Sequence, residues 1–212
     1  MRPQQIFSSY DRTGSSKARR FSFCPDCATP LTTLEEGTEV RAACPACGWI
    51  QYLNPAPGVV ILITERDRVL LGRRGQSSFA AGSWCLPGGF IEYHEDFLSA
   101  GIREVQEETG LTVAISSIIS VVSNFLAEQL HTLVVVLKAE VISGIPTPGD
   151  DLEELGWFPQ AGPFPDLAFE ADRHIIERYR LTGITGAPVD PAFALPALPA
   201  PLDPAVPGAS RP

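Results

Sequence analysis

Apolar residues fall at two different periods along this chain, and the change of period separates its elements. Runs at 59–64 and 68–72 are rich in Val, Ile and Leu and are joined by the charged Glu65-Arg66-Asp67, which predicts two short strands and a tight turn. Longer β-branched runs at 113–122 and 130–141 predict two further strands. Between the two pairs the period lengthens: Leu98, Ile102 and Val105 recur at i, i+4 and i+7, as on the buried side of an amphipathic helix. A closing helix is predicted over 168–181, with Phe169, Ile175, Ile176 and Tyr179 available for packing.

The first helix has a second face. Glu104, Glu107 and Glu108 stand at i, i+3 and i+4, so their side chains leave one side within one turn. Like charges at that spacing cost a helix roughly 0.2–0.5 kcal/mol per pair, a cost that a bound cation removes. Mg²⁺ and Mn²⁺ take oxygen ligands and keep room for substrate phosphates. A solvated acidic stripe is the ordinary alternative, and the flanking residues weigh against it. Pro87-Gly88-Gly89 suits a loop whose backbone comes close to a ligand, and Gly110 stands where a helix C-terminal cap belongs. Arg103 follows Glu95 by eight residues, about two turns, and the pair is placed to brace the helix or orient the acids.

The segment 89–111 resembles the Nudix box, G-x5-E-x7-R-E-U-x-E-E-x-G-U with U aliphatic, at every fixed position: Gly89, Glu95, Arg103, Glu104, Val105, Glu107, Glu108, Gly110 and Leu111. The resemblance implies an α/β fold, a Nudix α/β/α sandwich with a mixed sheet. It also implies an Mg²⁺- or Mn²⁺-dependent hydrolase of nucleoside diphosphates linked to another moiety. In such a protein Glu104, Glu107 and Glu108 ligate the metal, joined by the Gly88 carbonyl, and Glu95 and Arg103 support them. Attack of water on a pyrophosphate requires neutralised phosphoryl charge and a deprotonated nucleophile, and carboxylate-held metals supply both. The resemblance implies that the base is either one of the box glutamates or another acid recruited from a later loop. Asp150, Asp151, Glu153 and Glu154 are the choices, Glu154 being favoured, though an acidic turn after Pro148-Gly149 accounts for any one of them equally well.

Four of the five cysteines form two C-x-x-C knuckles, Cys24/Cys27 and Cys44/Cys47, with sixteen residues between the inner pair. That is the spacing of a zinc site, and four thiolates leave no open coordination position, so the ion is structural. Redox C-x-x-C chemistry needs no second pair at this distance. A hairpin is expected between the knuckles at 32–41. Cys85, alone, reads as a small buried apolar residue. A zinc ribbon ahead of a Nudix domain is similar to NADH pyrophosphatases and to a less specialised set acting on ADP-ribose, FAD and related dinucleotides. The S-Q-P-W-P-F-P stretch of the first group is missing; residues 120–125 read S-V-V-S-N-F, which favours the second.

The expected organisation is a flexible segment at 1–20, the ribbon at 21–53, the hydrolase domain at 54–183 and a disordered Pro/Ala-rich tail at 184–212. Arg73 and Arg74 are candidates for substrate phosphates. Phe125 is a candidate for the base, with Phe79, Trp49 and Tyr52 as alternatives, although packing is the better reading for the last two. His131 and His174 read as structural, while His94 sits at a variable box position. A net charge of −9 argues against general affinity for nucleic acid, with Lys17, Arg19 and Arg20 the one basic cluster near the N-terminus. No apolar run approaches the roughly 20 residues of a membrane span, and the polar N-terminus lacks a signal-peptide core, so the cytoplasm is the expected compartment. The resemblance also allows a homodimer. Two other functions remain open: hydrolysis of NAD-capped RNA, and ligand sensing without turnover.

Overall fold

The computed structural model describes residues 1–11, 21–37 and 39–196. Lys17, Arg19 and Arg20, and the tail beyond residue 196, lie outside them. The elements are β1 (Ile6–Ser8), β2 (Thr32–Glu36), β3 (Glu39–Ala43), β4 (Ala56–Glu65), β5 (Arg68–Arg74), β6 (Trp84–Cys85), α1 (Phe97–Thr109), β7 (Leu111–Ala127), β8 (Leu130–Gly144), β9 (Leu152–Pro159), α2 (Glu170–Thr182) and β10 (Ala187–Pro188). Strands β2 and β3 form the antiparallel hairpin expected between the knuckles. The remaining strands form one mixed sheet in the order β1-β7-β8-β4-β5-β6, with β9 on β5 and β10 on β7.

Strand alternation divides the core into two layers. Val59, Ile61 and Ile63 of β4 point to one face, where Leu98, Ala100 and Val105 of α1 cover them. The intervening Val60 and Leu62 point to the other, against Ala171, Ile175 and Ile176 of α2. The sheet is therefore sandwiched between helices, which is the α/β/α architecture expected. Helix α1 packs closely because residue 101 is glycine: a Cβ there would lie 2.8 Å from Leu137 Cδ1.

The flexible segment expected at 1–20 is corrected over its first part. Strand β1 pairs in parallel with β7 at 123–125, Phe7 is buried in the α2-side core, and the Gln4 amide donates to His174 Nε2 at 3.1 Å. The disordered tail is likewise corrected up to residue 196. Strand β10 pairs with β7 at 117–118, Val189 packs on the α1-side core, and Ile115 N donates to Ala194 O. Both segments are short and weakly periodic, so local pattern does not reveal them. What orders them is the open edge of a 17-residue β7, whose unpaired amides and carbonyls accept any extended chain that reaches them. Strand β9 was not predicted either, because Glu153, Glu154, Gly156 and Pro159 interrupt its alternation.

Candidate active site and zinc centre

Residues 87–91, where the acidic segment begins, form a loop that enters the sheet. Strands β4 and β5 pair only at Thr64–Val69 and Glu65–Arg68. Past that point they separate, and the chain after β6 fills the gap: Ile61 N donates to Pro87 O at 2.8 Å, Val59 N to Gly89 O at 2.9 Å and Ile91 N to Pro57 O at 3.2 Å. Gly88 has φ 151°, and a Cβ there would sit 2.3 Å from Val59 O. At Gly89 a Cβ would sit 2.4 Å from Glu104 Oε1, so the Glu104 carboxylate lies directly over bare loop backbone. Only glycine allows either approach.

Helix α1 then runs back beneath this loop. Asp96 caps it by accepting from Leu98 N and Ser99 N, and Gly110, at φ 67°, ends it. Of its three acids, Glu104 and Glu108 are buried, at 7% and 2% exposure, whereas the Glu107 side chain is 49% exposed. Glu108 Oε2 accepts from the Gly88 amide at 2.8 Å. Burial pushes the Glu108 carboxyl up to about 8, with the Glu104 charge adding to the rise. Burial raises Glu104 too, against the opposing pull of Arg103.

Arg103 organises the acids. It holds Glu95 through two hydrogen bonds, Nε to Oε2 at 3.0 Å and Nη2 to Oε1 at 2.6 Å, and donates to Phe90 O at 3.1 Å. Its Nη1 bridges Glu104 Oε1 and Glu107 Oε2, each at 2.9 Å. Glu95 is held below the usual carboxylate range mainly by this guanidinium, and Arg103 is shifted upward mainly by Glu95. The guanidinium thus stands between two predicted metal ligands, and the three glutamates do not close on one point. Their chemistry still fits a hard divalent cation: two acids on one helix face are denied water and raised, a state that an added positive charge relieves.

The later acids divide. Glu154, the favoured base, pairs with Arg73 of β5 at 2.9 Å, and Glu153 takes the same arginine at 3.6 Å. Both carboxylates are thereby directed to β5. The loop acids whose charge is felt at Glu104 and Glu108 are Asp150 and Asp151, respectively. Arg74 is nearly buried: it donates to Phe79 O at 2.6 Å, pairs with Asp151 at 3.4 Å and lies 5.7 Å over the Phe169 ring. Both arginines are engaged by protein groups. Phe125 sits at the far end of β7, edge-on to His131, which hydrogen-bonds Tyr10 Oη at 2.6 Å. His131 and His174 are both satisfied structurally. Trp49 packs in the small ribbon core and Tyr52 lies 4.8 Å beneath Arg41. Cys85 is buried, and burial pushes its thiol up to about 12.

Cys24, Cys27, Cys44 and Cys47 bring their sulfurs within 4.8 Å of one another. Sγ separations of 3.6 Å (Cys24–Cys47), 3.5 Å (Cys27–Cys44) and 3.7 Å (Cys27–Cys47) approach the edge of about 3.8 Å of a tetrahedron with Zn–S bonds near 2.3 Å. The knuckles repeat each other: Cys24 N donates to Thr29 O and Ala28 N to Cys24 O, as Cys44 N does to Trp49 O and Gly48 N to Cys44 O. Together the thiols fit zinc.

One buried acid escaped the sequence reading. Asp172 of α2 is 2% exposed and accepts from Leu86 N at 3.0 Å. Its signal was available, since it falls three and four residues before Ile175 and Ile176 on the apolar side of the helix.

The NUDIX domain model matches residues 54–179, and the Nudix N-terminal zinc-ribbon model matches 22–53. The chain belongs to the NUDIX family and carries its N-terminal ribbon. It is 32% identical over 169 residues to the NAD-capped RNA hydrolase NudC of Pseudomonas aeruginosa, covering 76% of this chain and 56% of that protein. It is 36% identical over 129 residues to the ADP-ribose pyrophosphatase of Methanocaldococcus jannaschii, covering 60% of this chain and 75% of that one. The chain thus spans just over half the length of the NudC relative. Among solved structures, a NUDIX hydrolase from Nitrosomonas europaea superposes with a TM-score of 0.67 at 26% identity, over 79% of this chain and 96% of that one. Among the described residues, no helix is long and apolar enough to cross a membrane.

Proposed function

We propose that this protein is a pyrophosphohydrolase dependent on Mg²⁺ or Mn²⁺. It cleaves the diphosphate of a nucleoside diphosphate linked to another moiety, releasing a nucleoside monophosphate and a phosphorylated product. The observation that carries the reading is the pair of buried, upshifted carboxylates, Glu104 and Glu108, set against a glycine loop that admits no side chain. Glu104, Glu107, Glu108 and the Gly88 carbonyl would hold the cation. A divalent cation supplies neutralisation of phosphoryl charge and a more acidic water. Arg103 sets the directions of Glu104 and Glu107, and Glu95 fixes Arg103. Of the later acids, Asp151 is the one whose charge reaches Glu108, although Arg74 pairs with it at 3.4 Å as Arg73 pairs with Glu154 at 2.9 Å. Arg73, with a third of its side chain exposed (33%), is the more accessible of the two arginines and would meet an anionic substrate by exchanging Glu153 or Glu154 for it.

ADP-ribose is the first substrate of this reading, with FAD and NADH after it. Likeness to the archaeal ADP-ribose pyrophosphatase over three quarters of that enzyme (75%) supports the order, as does the S-V-V-S-N-F sequence at 120–125. The test is turnover of ADP-ribose, FAD, NADH and NAD⁺ with each metal, the products being separated by chromatography. Release of AMP from ADP-ribose is expected; absence of turnover on all four would refute the assignment.

A second reading, hydrolysis of NAD-capped RNA, is favoured by the NudC likeness. Against it, the ribbon at 21–53 carries Asp26, Glu35, Glu36 and Glu39 but only Arg41, an acidic surface unsuited to a phosphate backbone.

A further inference from the structure

Where the chain leaves β6 for the glycine loop it changes partner strands. Gly72 and Arg73 of β5 are paired with Cys85 and Trp84, whereas Pro87 O and Gly89 O accept from β4. Leu86 stands at the crossing. Its side chain is 2% exposed, and its amide donates to Asp172 Oδ2 at 3.0 Å. Residue 87 is proline and has no amide to place. The next amide, that of Gly88, donates to Glu108 at 2.8 Å. The two amides that bracket Pro87 are thus taken by two buried carboxylates, one from each helix and so from opposite faces of the sheet.

Asp172 is itself tied to the loop's approach. The segment leading into α2 is clipped to β6, with Trp84 N donating to Asp166 O and Ala168 N to Trp84 O, both at 2.8 Å. A wholly buried carboxylate is expensive to keep, and burial pushes this one up to about 7. An apolar residue would fill the same place on α2 at no such cost. Retention of the acid is accounted for by the amide it holds.

Resting on the hydrolase reading above, we propose that Asp172 is a positioning residue: through Leu86 N it fixes the register of the glycine loop over Glu104 and Glu108. It touches neither metal nor substrate. Without it the Leu86 amide is buried and unsatisfied, the loop is held from one helix instead of two, and the Gly88–Glu108 contact loses its fixed geometry.

The test compares Asp172→Ala and Asp172→Asn with the unaltered full-length, zinc-loaded protein, measuring Mn²⁺ binding by electron paramagnetic resonance, kcat and KM for ADP-ribose, and thermal unfolding. Asp172→Ala is expected to weaken Mn²⁺ binding and lower kcat, each by about 10–100-fold, the usual effect of removing an outer-shell partner, while KM changes little. Asp172→Asn, which keeps an acceptor oxygen at the same reach, is expected to restore both to within about threefold of the original, a small fraction of that loss. A folded Asp172→Ala with unaltered Mn²⁺ affinity overturns the proposal, and so does Asp172→Asn as impaired as Asp172→Ala. If Asp172→Ala does not fold, Asp172→Glu takes its place: the charge stays but the acceptor moves by one methylene, and unaltered Mn²⁺ affinity in that variant overturns the proposal. Mn²⁺ binding that depends on Asp172 in a protein without turnover on any dinucleotide refutes the hydrolase reading and leaves the positioning role standing.

Discussion

Ionising Glu108 in place should cost this fold stability, and Glu108→Gln isolates the effect. The carboxyl lies at 2% exposure, and burial carries it from 4.5 to about 8. The sign follows from proton counting. Between those two values the folded protein holds a proton that the unfolded chain has released, so raising the pH favours unfolding. At about 1.4 kcal/mol per pH unit, the full shift corresponds to up to about 5 kcal/mol, fully present above pH 8 and absent below the ordinary carboxylate range. Glu104, also raised, adds in the same direction. Against a typical total of about 5–15 kcal/mol, this is easily measured. The assay is urea unfolding of zinc-loaded protein, free of other divalent ions, between pH 5 and 8.5. The unaltered protein should lose stability across that range, and Glu108→Gln should lose several kcal/mol less. Saturating Mn²⁺ should flatten the curve of the unaltered protein, because a cation that prefers the carboxylate lowers its pKa. A slope that is the same with and without Glu108 would refute the reasoning.

Other outcomes follow from the same geometry. Glu107→Gln, on the exposed side of the acidic face, should lower kcat by roughly 100-fold or more, the scale of losing one electrostatic element of such a site, with an unchanged melting temperature; near-normal turnover would remove it from the mechanism. Gly89→Ala should push the Glu104 carboxylate away from its place 2.4 Å from the new Cβ. Weaker Mn²⁺ binding is expected, together with about 1–3 kcal/mol of lost stability from overpacking; calorimetry and thermal unfolding measure the two. Cys44→Ser should take zinc from one equivalent to near none by elemental analysis and open the ribbon to protease.

The residues that could be read from sequence are those whose neighbours are close in the chain. The acids of α1 share a face because 3.6 residues make a turn, the two knuckles bind as pairs because each spans four residues, and β4 divides its side chains between faces because a strand alternates. Local backbone geometry determines all of this. Tertiary packing decided the rest. Only the separation of β4 and β5 explains why the glycine loop enters the sheet and why residues 88 and 89 carry no Cβ. The edge of β7 orders both terminal segments, which by composition alone belong outside the fold. Glu154 faces Arg73 because the antiparallel register of the β5–β9 pair sets the two opposite each other, just before that register shifts, a matter of pairing that no short motif contains. Asp172 meets Leu86 across eighty-six residues. Sequence thus determined which chemical groups sit together on one helix or one knuckle. Burial and strand pairing, which depend on the whole chain, decided which of those groups are desolvated, which are neutralised by a neighbour, and which hold the loop in place.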